Sequence, residues 1–215
     1  ENIAASRWLD ASTERNVKEI TQNPLEIFPE IAERLDEPAA NLSGGQQQML
    51  GLAMALHSKP KVLLIDELSL GLAPAVVERI LPVIKQIANQ GTAIIIVEQS
   101  VNLALTIADR AYFMEKGQIR FNGSTAELLN RPDLLRSVFL SNTSISAAET
   151  SSKPSTTESK TILEIEDVSR SFGGILAVSS VTFDVKSNEI IGIMGPNGAG
   201  KTTLFDLLSG FVPTQ

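Results

Sequence analysis

The chain has 215 residues, of which 43% are hydrophobic and 20% charged, and a formal net charge of −7. That balance is ordinary for a soluble globular protein and argues against a general nucleic-acid binder. The absence of cysteine excludes disulfides and thiolate metal sites and fits a reducing cytoplasm. No apolar run reaches the roughly 18 residues of a membrane span, and no secretory leader pattern opens the sequence. The start at Glu1 and the stop just after Pro213 read as cuts, so a fragment of a longer chain is expected.

Glu1 to about Leu35 reads as mostly helical. Asn23-Pro24 supplies an N-cap and a first-turn proline. Ile27, Ile31 and Leu35 then share one face, to be covered by the domain's own core or by a partner. After a loop over Asp36–Leu42 comes Leu42-Ser43-Gly44-Gly45-Gln46. Ser43 caps the helix predicted over Gln46–Leu56. The two glycines leave backbone N–H groups open to an anionic ligand at the positive end of that helix. Taken alone, Ser-Gly-Gly occurs in many loops. His57 closes the helix as the only histidine, and with no cluster around it a structural role is expected.

Lys61–Ile65 predicts a short buried strand that ends in Asp66-Glu67. Carboxylates at the C-terminal end of a parallel strand lie where open α/β sheets bind ligands. Asp66 is placed to hold Mg²⁺ through water, and Glu67 to orient or deprotonate an attacking water; a solvated acidic pair is the competing reading. Pro74 begins a helix with Val76, Val77, Ile80, Ile84 and Ile87 on its apolar side, Pro82 is expected to kink it, and Gly91 ends it. Thr92–Val97 is continuously apolar, as a strand buried on both faces requires, and Glu98-Gln99 follows. Val101–Ala108 predicts a helix. Arg110–Met114 and Gln118–Phe121 predict a hairpin about Lys116-Gly117. Helices over Ala126–Leu129 and Asp133–Phe139 close a first module near Leu140.

Ser141–Lys160 is rich in Ser and Thr and poor in apolar residues, so it reads as a flexible linker. Beyond it come strands over Ile162–Val168 and Val181–Val185, a turn at Ser171-Phe172-Gly173-Gly174, and a third strand over Glu189–Met194. Gly195-Pro196-Asn197-Gly198-Ala199-Gly200-Lys201-Thr202-Thr203 follows, and Thr202–Leu208 continues as a helix. This fits the phosphate-loop pattern G-x-x-x-x-G-K-[ST]. Residues without Cβ let backbone N–H groups wrap a polyphosphate, Lys201 supplies charge to its β/γ end, and Thr202 supplies a hydroxyl to Mg²⁺. Phe205 and Phe211 are expected in the core.

Together, Leu42–Gln46, the run Leu63-Leu64-Ile65-Asp66-Glu67 and the phosphate loop resemble the signature, Walker B and Walker A motifs of ATP-binding cassette (ABC) ATPases. Ser69-Leu70-Gly71-Leu72-Ala73-Pro74 resembles the branched-chain amino-acid importer branch in particular. The resemblance covers nearly all of the chain except its Ser/Thr-rich middle. It implies an α/β P-loop NTPase cassette, incomplete here, with a mostly parallel sheet, flanking helices and a helical subdomain. It also implies ATP and Mg²⁺ as cofactors, and an aromatic, Phe172, stacked on adenine; a core phenylalanine at a tight turn is the other reading. Gln99 stands where many family members carry a switch histidine. It can hydrogen-bond a phosphate but cannot titrate. Ala73 and Leu68 also depart from the family's usual Asp and Pro.

The family's motif order begins with the phosphate loop, whereas here that loop comes last. Two tandem cassettes account for this most simply: residues 1–140 as the back of the first, 141–160 as linker, and 161–215 as the front of the second. Because cassettes dimerise head to tail, Lys201 and Ser43-Gly44-Gly45 would then face one ATP, while Asp66, Glu67 and Gln99 would serve another, and the fragment alone would not hydrolyse ATP. A circularly permuted single cassette, with Lys201 and Asp66 in one site, is the alternative; it is expected to leave sheet edges unpaired. The resemblance implies an importer ATPase for branched-chain amino acids, amides or urea. Its partners would be a second cassette, permease subunits and, indirectly, a solute-binding protein. It would sit peripherally at the cytoplasmic face of the inner membrane and bind no nucleic acid. A soluble tandem ATPase of the translation or repair type and a non-hydrolysing nucleotide sensor are the other function classes.

Overall fold

A computed structural model of the chain describes residues 28–57, 60–130 and 160–214. They fall into two units: one contains residues up to Pro60 together with Ser69–Ile84, the other contains Lys61–Leu68 and everything from Lys85 onward.

The first unit is helical. A short helix α1 covers Pro29–Ala32, and a 3-10 turn covers Ala39–Asn41. Helix α2 runs over Gly44–His57 and α3 over Pro74–Asn89, the latter crossing the unit boundary. Phe28, Ile31, Met49, Leu52 and Ile80 are buried, and Glu30 pairs with Arg79. The long helix expected up to Leu35 is not formed among the described residues. Only one turn follows Phe28, and Leu35 is exposed, because Glu33 to Glu37 continue as turns rather than as i→i+4 pairs. Asn23, Pro24, Ile27, the side chain of His57, the helix expected at Asp133–Phe139 and the linker up to residue 159 lie outside the described residues. Pro82 does sit inside α3, exposed.

The second unit is built on a five-stranded sheet. Its strands are β1 (Val62–Asp66), β2 (Ala93–Glu98), β3 (Arg110–Glu115), β4 (Gln118–Ser124) and β7 (Ile190–Met194). A separate antiparallel ribbon pairs β5 (Thr161–Phe172) with β6 (Ile175–Lys186). Helices α4 (Val101–Ile107), α5 (Thr125–Leu129) and α6 (Lys201–Leu208) complete it. The turn of the ribbon is Gly173-Gly174 alone; Ser171 and Phe172 still pair within it. Phe205 packs against the core, but Phe211 is 80% exposed, because it lies beyond the end of α6.

The strand order is β1-β2-β7-β3-β4. β7 lies parallel to both neighbours, with Val97 opposite Ile193 on one side and Tyr112 opposite Ile193 on the other. It is buried throughout, as is β2, which explains why both read as continuous apolar runs. The unpaired edges expected of a permuted cassette therefore do not arise at this position: a strand from far along the chain fills the slot between β2 and β3. β3 and β4 form the hairpin predicted about Lys116-Gly117.

Candidate functional site: a phosphate-loop cleft

The sheet brings the loop after β7 to the same end as the carboxylates after β1. Both strands are parallel, and both run their C-terminal ends to that side. A cleft of about 450 Å³ opens there, lined by Glu67, Lys116, Gly117, Ile175, Leu176, Ala177, Asn197, Gly198, Gly200, Lys201, Thr202 and Thr203.

The loop is held by close backbone approaches that only glycine permits. A Cβ on Gly195 would overlap the carbonyl of Met114, and one on Gly200 would overlap the carbonyl of Ala177. Gly200 also has φ +97°, the left-handed region, at the residue that starts α6. Ala199 is buried, and its carbonyl accepts from Gly117 N at 2.8 Å. Pro196 and Asn197 are exposed at the loop's rim. Lys201 is 5% exposed, and its Nζ donates to the carbonyls of Gly195 at 2.9 Å and Pro196 at 3.1 Å. Burial lowers its pKa, and the charges of Glu67, Asp66 and Glu98 work against that shift.

Asp66 ends β1 with one carboxylate oxygen, Oδ1, buried and without a hydrogen-bond partner. Its pKa is raised by burial and by the neighbouring Glu67 charge, despite the attraction of Lys201. An orphaned, desolvated carboxylate oxygen beside a phosphate loop fits a cation ligand. Thr202, exposed on the cleft wall, adds a hydroxyl of the right kind. Glu67 has φ +47° and is fixed by its N–H to Val97 O at 2.9 Å, and it lines the cleft. Glu98 is almost fully buried at the end of β2.

Lys201 thus shares its surroundings with Asp66, Glu67 and Glu98. β7 pairs inside the sheet that carries Asp66, which is the grouping the permuted alternative describes. Gln99 is exposed one residue past β2 and does not line the cleft. Phe172 is half exposed at the end of β5, with the Arg170 guanidinium 5.1 Å from its ring centre, and it too lies outside the cleft lining. The apolar wall is Ile175, Leu176 and Ala177 instead, which the sequence motifs do not mark; their one local signal is an apolar triplet directly after a Gly-Gly turn. Lys116 and Gly117 carry no sequence signal beyond that of a hairpin turn.

In the helical unit, Ser43 and Gln46 form a reciprocal cap: Gln46 N donates to Ser43 Oγ at 3.4 Å, and Ser43 N to the Gln46 side chain at 3.0 Å. The Gln46 side chain is thereby engaged. Gly44 faces open space, whereas Gly45 lies against Val76 and Leu72.

A glycine-rich loop between a buried parallel strand and a helix, with a lysine inside it and an acidic strand end beside it, defines a P-loop nucleotide-binding fold. Residues 178–215 match the family model described as ABC transporter, and residues 14–106 match one described as AAA domain, putative AbiEii toxin, Type IV TA system. The chain is 48% identical over 108 residues to the high-affinity branched-chain amino acid transport ATP-binding protein BraG of Pseudomonas aeruginosa, covering 50% of this chain and 46% of that protein. It is 30% identical over 200 residues to the methionine import ATP-binding protein MetN of Mannheimia succiniciproducens, covering 89% of this chain and 58% of that one. A solved ATP binding subunit of an ABC transporter superposes with a TM-score of 0.54 at 19% identity, over 65% of this chain and 60% of the other, and shows the fold. Over these stretches the chain is similar to ABC transporter ATP-binding proteins, and it spans about half the length of these curated relatives.

Proposed function

We propose that this chain carries ATP- and Mg²⁺-binding machinery of an importer ATPase for branched-chain amino acids or related amides or urea. The BraG relative supports the branched-chain assignment; the MetN relative shows that transport of other amino acids is served by similar sequences. The observation that carries the nucleotide reading is the cleft in which Lys201, Thr202 and Glu67 meet beneath the end of β1. Gly195 to Thr203 would wrap the phosphates. Thr202 and Asp66 would hold Mg²⁺, which would offset the negative charge of the phosphates. Glu67 would orient water, and Gln99 would act from the neighbouring strand end without proton chemistry.

Residues 1–140 are read as the back of a first cassette, 141–160 as linker and 161–215 as the front of a second. In this chain β7 takes the slot that a first cassette's own phosphate-loop strand would take. Ser43, Gly44, Gly45 and Gln46 would close on a nucleotide held by a second cassette, and Phe172 would stack on adenine. Permease subunits and a solute-binding protein complete the assembly, at the cytoplasmic face of the inner membrane. Titration calorimetry with MgATP tests the nucleotide reading. Binding by the native chain and its loss in Lys201→Ala are expected; equal binding by both would overturn it.

A further inference from the structure

We infer that Lys116 is a second cation of the nucleotide site, acting on the phosphate chain of the bound nucleoside triphosphate. This rests on the nucleotide-binding reading above and adds a contact that the phosphate-loop motif does not contain. Lys116 lies at the turn of the β3–β4 hairpin and lines the cleft together with Lys201, Thr202 and Gly198. The backbone of the next residue, Gly117, is pinned. Gly117 N donates to Ala199 O and Ser179 N donates to Gly117 O, both at 2.8 Å. A Cβ on Gly117 would come within 2.8 Å of Ala177 O, so the turn lies in close backbone contact with the ribbon. The Lys116 Cα is therefore held in fixed register with the phosphate loop, while its long side chain is exposed.

The charge arrangement favours a polyanion as its partner. Glu115, the adjacent acid, is paired with Arg120 at 3.1 Å. Among the described residues no carboxylate forms an ion pair with Lys116. Lys201, by contrast, sits among Asp66, Glu67 and Glu98, and its own pKa is lowered by burial. A lysine is a compact point charge on a flexible stem, suited to a phosphate group approached from a fixed turn. Lys116 has φ +49°, a conformation that asparagine also tolerates.

The test compares MgATP affinity in the native chain, Lys116→Asn, Lys116→Arg and Lys61→Asn, the last an exposed lysine outside the cleft. Lys116→Asn suits the left-handed turn and removes only the charge. Its ATP affinity is expected to fall about tenfold, with a shallower salt dependence, while Lys116→Arg stays within about twofold of native and adenosine binding is unchanged. Native-like ATP affinity in Lys116→Asn, or an equal loss in Lys61→Asn, would overturn the inference while leaving the nucleotide reading intact. No ATP binding by the native chain would overturn both.

Discussion

Arg110 grips Glu189 through two hydrogen bonds, Nε to Oε1 at 2.6 Å and a terminal guanidinium nitrogen to Oε2 at 3.1 Å. The same guanidinium reaches Asp184, its carboxylate at 3.2 Å and its carbonyl at 2.6 Å. Asp109 completes the tie by accepting from Ile190 N at 2.8 Å. These contacts fasten β7 and the ribbon beside β3, so a strand far away in sequence is held in its slot by charge as well as by ladder hydrogen bonds. Glu189 is 12% exposed in its side chain and Arg110 28%. Removing one member of such a pair leaves a partly desolvated charge unmatched. Arg110→Ala is expected to cost about 2–3 kcal/mol, read from the urea midpoint. Arg34→Ala, which breaks an exposed pair with Glu37, should change stability by less than about 1 kcal/mol.

Gly200 faces two separate obstacles to a side chain: its left-handed φ and the Ala177 carbonyl in the path of any Cβ. Gly200→Ala should therefore destabilise the chain by about 2–4 kcal/mol and abolish nucleotide binding even where the protein remains folded. Gly44→Ala, with open space at its Cβ, should leave the fold intact. Urea unfolding and circular dichroism of the two variants separate these cases.

The raised pKa of Asp66 has a definite sign for stability. Burial and Glu67 disfavour its ionised form, and that net shift already includes the attraction of Lys201. A carboxylate whose folded pKa exceeds its unfolded one costs stability when ionised in both states, and the cost fades as pH falls through the folded value. Asp66→Asn should thus melt higher than the native apo chain at neutral pH, with the difference shrinking toward acid. The same variant should lose the Mg²⁺ enhancement of ATP affinity. A lower melting temperature for Asp66→Asn at neutral pH would contradict the electrostatic account.

Much of this site is legible in the amino-acid sequence. The phosphate loop can be read because its glycines and lysine are demanded by local geometry, and Asp66 because strand ends in α/β sheets gather ligands. Which strands become neighbours cannot be read that way. Nothing local in Ile190–Met194 says that it pairs with Ala93–Glu98 on one side and Arg110–Glu115 on the other; motif order suggests separate cassettes, and sheet pairing is a non-local choice. Lys116 is hidden for the same reason, since its register with Ala199 exists only once β7 is in place. Leu35 and Phe211 show the opposite failure: apolar spacing and size predict burial, yet neither residue lies within a helix that could present it to a core.

The placement of β7 beside β2 leads to the expectation that Lys201 and Asp66 of one chain act on one nucleotide. Mixing Lys201→Ala with Asp66→Asn and titrating the mixture with ATP, with and without Mg²⁺, tests it most directly. If the site is formed within a chain, each variant alone lacks Mg²⁺-enhanced binding and so does the mixture. Recovery of Mg²⁺-enhanced binding in the mixture would mean that the lysine of one copy works with the carboxylate of another, and would contradict the account.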